Sequence, residues 1–331
     1  MAKTGENFSP KDWSCWIATD GAQAGSATGA HATNMYALDV DSVAYPTLNV
    51  TQALDVKTGG RFLRDDDFFQ DNVLRTTEIT LSGTLHNDSG HLLLLKNICN
   101  DYDVSNEITV TGSYAPPAVI YGTANAGDAA DSLTLVVKAP NETTSKHLVF
   151  TGCVVTNFSI TADVGTEGGR YKYSATLATG FKPDLDYATT VGANAYSNAT
   201  DSFLSTASAH KFFSADVVMQ NFTLTMDNPA VMLGAEATGY EMVARGTEFA
   251  ITVDCQVKYD AQTDMFVNDW DGQTAADAAD FFNVTNDGAF GISVPAGVVT
   301  NVAYSEGDIM MLDCSGKAVN IGSGDIVNIN I

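Results

Sequence analysis

A chain of 331 residues with 40 Asp and Glu against 16 Lys and Arg carries a formal charge of −24 at pH 7. Such a field repels phosphates and excludes nucleic-acid binding through backbone neutralisation. The length and the 45% hydrophobic share allow two domains with sizeable cores.

The five cysteines, at 15, 99, 153, 255 and 314, lack metal-ligand or redox spacing, and their odd number argues against a disulfide framework. Free thiols packed as small apolar groups, and folding in a reducing cytoplasm, are the expectation. Met1–Trp13 has no apolar run of the kind a signal peptide needs. The longest aliphatic run, Leu92–Leu95, is far too short to span a bilayer.

Residues 1–42 read as an N-terminal arm. Trp13 and Trp16 are suited to packing, and the run DGAQAGSATGAHAT that follows reads as an extended linker. Residues 43–181 read as a first unit. In it Leu48, Val50, Leu54 and Val56 alternate with polar neighbours, and so do Ile79, Leu81 and Leu85 after a polar loop, RFLRDDDFFQD. Asp88 is placed to cap a short helix over Ser89–Asn97. The unit ends in CVVTNFSITADVGTEGGRYKYSATLATG, Cys153–Gly180. There Phe158, Ile160 and Ala162, then Tyr171, Tyr173, Ala175 and Leu177, alternate with polar residues on either side of a Gly-rich turn, Val164–Gly169. Period-2 alternation predicts a hairpin with one apolar and one polar face.

Residues 182–213, rich in Ala, Ser, Thr and Asn around Phe203–Leu204, read as an ordered connector. Residues 214–331 read as a second unit that repeats the first. An ungapped shift carries Leu48 to Val218, Leu54 to Leu224, Arg75 to Arg245, Glu78 to Glu248, Leu81 to Ile251 and Leu85 to Cys255. Further on, GVVTNV at Gly297–Val302 answers CVVTNF at Cys153–Phe158. Helices are expected over Ala261–Trp270, capped by Asp260, and over Thr274–Phe282. The predicted fold is mainly β: two tandem β-sandwich or barrel units, each with a short flanking α-helix.

No catalytic, cofactor-binding or metal-binding residue is expected. Acidic neighbours such as Asp39/Asp41 and Asp65–Asp67 arise in any chain this rich in carboxylates. The histidines at 31, 86, 91, 147 and 210 form no HxH or HExxH pair, and His86 and His91 read as solvated or capping residues. Asp264–Gly272 lacks the alternating acids and closing Glu of a calcium loop. Gly322–Asp325 is a turn with no helix behind it. One charged pattern recurs: Arg75 with Glu78, and Arg245 with Glu248. It reads either as a strand-entry ion pair in each unit or as a contact between subunits.

The stretches FTGCVVTNFSITADVGTEGGRYKYSATLATGF, MQNFTLTMDNP and RGTEFAITVDCQVKYDAQT resemble the tail-tube proteins of long-tailed bacteriophages. The resemblance covers about Val43–Leu177 and Val217–Ile331. It implies a β-sandwich or barrel flanked by a helix, with subunits joining their sheets around a pore. It implies stacked rings that conduct DNA through the lumen without binding it specifically. Most members carry one unit and form hexamers, so two units imply a pseudo-sixfold trimer. Implied partners are further copies of the chain and other tail proteins (terminator, distal tail and tape-measure proteins), with no membrane. The implied location is the virion tail, after assembly in the host cytoplasm. Carboxylates lining the lumen would then account for the acidic charge. Two other readings compete: a distal tail or baseplate hub protein built on the same unit, and a carbohydrate-binding surface β-sandwich.

Overall fold

The computed structural model describes residues 12–20, 35–46, 52–54, 68–70, 77–99, 107–111, 132–138, 140, 147–181, 183–186, 201–233, 242–245, 249–260, 280–286, 290–305, 309–319 and 325–330. Alternating apolar residues dictate strands in most of them. In chain order these are β1 (Ser14–Asp20), β2 (Tyr36–Leu38), β3 (Ser42–Ala44), β4 (Gln52–Leu54), β5 (Phe68–Gln70) and β6 (Thr77–Thr84). After helix α1 (Ser89–Cys99) come β7 (Glu107–Thr111), β8 (Ser132–Lys138), β9 (His147–Asp163), β10 (Lys172–Thr179) and β11 (Asp184–Asp186). Then follow β12 (Ala209–Phe212), β13 (Ala215–Asp216), β14 (Met219–Asp227), β15 (Ala230–Leu233), β16 (Met242–Arg245) and β17 (Ala250–Lys258). The last are β18 (Phe282–Asn286), β19 (Phe290–Val294), β20 (Gly297–Ser305), β21 (Met311–Ala318) and β22 (Asp325–Asn330).

The strands pair antiparallel into a 12-stranded sheet, a 6-stranded sheet and two 2-stranded ribbons. The sheets are open, which corrects the barrel alternative. The 17-residue β9 is the reason. Its first half pairs with β8 and β11 and its second half with β10 and β14, so the sheet branches there instead of closing.

Two paths through the large sheet run in the same order: β3-β6-β10-β9 and β14-β17-β21-β20. Each inserts a two-stranded ribbon between its first and second strand, β4–β5 in one and β15–β16 in the other. Each path also has a β-bulge in its closing hairpin. Asn157 pairs with Thr176 and Val155 with Leu177, leaving Thr156 out; Asn301 pairs with Ser315 and Val299 with Gly316, leaving Thr300 out. The repeated VVTN is thus a bulged corner in both places. The paths meet side by side through β9 and β14.

The ungapped frame does not survive in full. Leu224 lies in β14, which pairs with β17, whereas Leu54 lies in β4, which pairs with β5 and not β6. The place of β14 is taken in the first path by β3. The excursion between first and second strands differs in length, and a shift that ignores this lands on the ribbon.

The predicted hairpin forms as read. Phe158 faces Ala175 and Ile160 faces Tyr173, with all four side chains buried. Asp163 closes the turn by accepting bonds from Gly165 N (2.8 Å) and Thr166 Oγ1 (3.2 Å). Gly169 has φ +78°, and a side chain there would strike Leu204.

The apolar face of the large sheet is covered by α1 and by the 6-stranded sheet β13-β12-β18-β19-β22-β7, around one continuous core. Phe222 of β14 meets Phe282 of β18 at 5.3 Å, and Tyr171 stacks on Phe290 of β19 at 4.2 Å. Cys99 Sγ of α1 lies 3.8 Å from Met226 Sδ of β14. Asp88 caps α1 as expected, with Oδ1 accepting from His91 N at 2.9 Å. The helix runs on to Cys99 because Ile98 and Cys99 are buried.

Strand pairing crosses the expected domain limits. Within the arm, Ser14–Asp20 is β1, paired along its whole length with β8, and Ile17 and Met35 are buried. From the first unit β7 joins β22 in the second layer. The connector contributes β11, a 3-10 turn at Leu204–Thr206 and β12. Phe282 opens β18, so the expected helix Thr274–Phe282 does not reach its end. The rest of that helix, the helix Ala261–Trp270 and the linker after Asp20 lie outside the described residues. All five cysteines are free and buried. Among the described residues no helix is long and apolar enough to cross a membrane.

Candidate assembly surface

Core packing of one face leaves the other face of the large sheet polar, and register aligns its side chains into rows across the strands. One row runs Ser42, Ser82, Ser174, Ser159, Thr225, Thr252 from β3 to β17, then Lys317 on β21. The next runs Thr84, Lys172, Thr161, Thr223, Asp254, Ser315, Asn301. Hydroxyls bond along the rows: Ser42 Oγ to Ser82 Oγ at 2.7 Å, and Thr80 Oγ1 to Thr176 Oγ1 at 3.0 Å. The charged positions on these strands are Glu78, Asp163, Asp227, Asp254 and Asp313 against Lys172, Lys258 and Lys317. The face is hydroxylic with a modest excess of carboxylate.

Among the described residues the path ends on two edges, β3 and β20. Near the β20 end several large apolar side chains are exposed: Val218, Tyr259, Tyr304, Ile309 and Met310. Tyr259 and Tyr304 form an edge-to-face pair at 5.7 Å. The corresponding end of the first hairpin is covered instead, since Leu204 N donates to Gly169 O at 2.7 Å and Tyr171 N to Ser202 O at 3.3 Å.

Of the recurrent charges, Glu78 and Arg245 fall among the described residues. Arg75 and Glu248 lie outside the described residues. Glu78 is exposed on β6, opposite Ala178. Arg245 is buried, and its guanidinium ties three backbone segments together. One terminal nitrogen donates to Val155 O (2.7 Å) and Asn228 O (2.8 Å); the other donates to Asn97 O (2.7 Å) and Asn97 Oδ1 (3.3 Å). Asn97 Oδ1 also accepts from Val155 N (2.7 Å), and Asn228 Nδ2 donates to Ile98 O (2.7 Å). These contacts satisfy carbonyls at the C-terminus of α1 that have no partner within the helix. Asn97 and Asn228 went unnoticed in the sequence because neither stands in a motif; what they recognise is a helix end.

His86 and His91 are buried and not solvated. The ring of His86 bridges Asp39 Oδ2 (2.8 Å) and Asp201 Oδ1 (3.2 Å), and Arg170 reaches the other oxygen of Asp201 at 2.9 Å. His91 Nδ1 meets Asp88 Oδ1 at 2.8 Å, and its ring lies edge-on to Tyr173 at 4.8 Å. This chain of polar contacts pins the connector and the first hairpin to the loop before α1. Among the described residues no group of three or more His, Cys, Asp and Glu is placed to hold a metal ion. Asp65–Asp67, Asp264–Gly272 and His31 lie outside the described residues. No known family model matches this chain, and neither does any curated protein.

Proposed function

We propose that the chain is a structural protein that assembles with copies of itself into stacked rings, forming the tail tube of a long-tailed phage. The two units are read as a duplication, and three chains as a pseudo-sixfold ring. The observation that carries this reading is the repeated path ending on two open edges, with identical bulges at Thr156 and Thr300. A repeat that pairs side by side within one chain offers the same kind of contact at its ends. Repeating such a head-to-tail contact closes a ring when the rotation permits.

The hydroxylic face of the large sheet supports a wet lumen. It offers hydrogen bonds to water and few cations to grip phosphates, so DNA would slide past it. Other tail proteins, such as terminator, distal tail and tape-measure proteins, would bind the tube ends. The role in this reading is structural and not catalytic, and its setting is the virion tail.

The exposed pair Tyr259/Tyr304 favours carbohydrate binding as a second reading, since sugars stack on exposed aromatic rings. Ile309 and Met310 beside it are apolar and suit a protein contact better. Negative-stain microscopy of the purified chain separates the readings. Hollow rings or tubes with six lobes from three chains are expected. Persistent monomers that bind glycans would overturn the tube in favour of the alternative.

A further inference from the structure

We infer that β20 of one chain pairs antiparallel with β3 of the next, Val302 opposite Val43, so that the β9–β14 junction inside the chain is repeated between chains. The inference rests on the assembly reading above and adds its register.

The register follows from the repeat. Thr156 and Thr300 are the bulged residues of the two VVTN corners, so Phe158 and Val302 hold the same place, two residues on. Leu81 faces Val43 across β6–β3, and Ile251 faces Met226 across β17–β14. Leu81 and Ile251 each stand three residues after the Glu of the recurrent RTTE and RGTE. Val43 therefore holds the place of Met226. Inside the chain Met226 faces Phe158. Transferred to the ends, the same contact sets Val43 against Val302, Ser42 against Ala303 and Asp41 against Tyr304.

Burial at these positions fits. Phe158 and Met226 are 0% exposed, whereas Val43 and Val302 are only half-buried, each packed against the core on one side. Tyr304 is 42% exposed where its counterpart Ile160 is 0%. The composition of the edge fits as well. β20 reads GVVTNVAYS, nine residues with no charge and no proline. Natural proteins guard exposed edges with charges, prolines or short strands. An unguarded edge of this length is suited to a partner strand, and the exposed Ile309 and Met310 beside it extend the contact. A second copy is the occupant because it alone carries the β3 edge that the internal junction already matches.

The test uses full-length chains carrying Val43→Cys or Val302→Cys, each checked for β structure by circular dichroism. Residues opposed across an antiparallel pair lie within disulfide reach. The native cysteines are buried, and burial pushes the Cys15 thiol up to about 12, so it stays protonated and silent. Samples are oxidised with copper–phenanthroline, run on a denaturing gel and imaged. Mixing the two variants should shift chains to a disulfide-linked dimer, while each variant alone stays monomeric on the gel. Rings without the mixed cross-link would overturn this junction and leave the tube reading intact. A dimer from either variant alone would mean a self-complementary contact and would also overturn it. Absence of both rings and cross-links would remove the two together. If either variant misfolds, Ser42→Cys with Ala303→Cys probes the same register.

Discussion

Arg245 shows how a residue picked for its charge can be used for its shape. Its planar fork meets oxygens from α1, β9 and the turn after β14, and each acceptor named here is uncharged. A guanidinium presents several donors in a rigid plane, which an ammonium cannot copy. Replacing Arg245 by Ala would strand buried carbonyls and should cost about 3 kcal/mol. Arg245→Lys should fall between the two, and the shift in urea midpoint measures both. An unchanged midpoint for the Ala variant would show that the network adds nothing to stability. His86 is the same lesson in a smaller form: a histidine beside a capping residue looked local, yet it joins Asp39 to Asp201, far apart in the chain.

At the scale of the element, the bulge fits one extra residue into the hairpin without exchanging its faces, as a strand slip of one residue would. Deleting Thr156 would leave Val155, Asn157 and Phe158 opposite Leu177, Thr176 and Ala175 in unbroken alternation. Phe158, Ile160 and Ala162 would keep facing the core, and the corner would straighten. The deletion should therefore keep a cooperative unfolding transition. Thr156→Ala keeps the residue count and loses only the long hydroxyl bond to Thr176 O at 3.3 Å. It should retain the fold with a loss of about 1 kcal/mol or less. A deletion that loses its cooperative transition would show that the bent corner itself holds the fold. On the opposite hairpin Gly316 serves packing: the ring of Phe281 occupies the space that a side chain there would need.

At the scale of the molecule, the charge of −24 sets the terms of any self-association. Copies repel at low ionic strength, and the screening length falls from about 30 Å at 0.01 M salt to about 10 Å at 0.1 M. Assembly, followed by light scattering, should accelerate several-fold as salt rises across that range. Slower assembly in salt would point to ion pairs across the junction in place of the apolar edge proposed here. The large sheet also draws on both sides of the expected domain limits. Its strands come from the arm and both units, while the second layer takes β7 from the first unit and β22 from the last residues described.

By itself the sequence determined the local features: the mainly β class, the hairpin of Phe158 to Leu177 with its two faces, the cap at Asp88, the buried free thiols and the recurrence of VVTN. These follow from period-2 alternation and short-range chemistry, which neighbouring residues alone can specify. Only the tertiary structure decided which strand partners which. β3 and not β4 stands beside β6, the arm supplies β1, and Arg245 turns inward to a helix end. Antiparallel pairing joins residues far apart in the chain, and loop length between them is nearly free of energetic cost. An alternating pattern therefore marks which face a strand buries without marking the neighbour it lies beside.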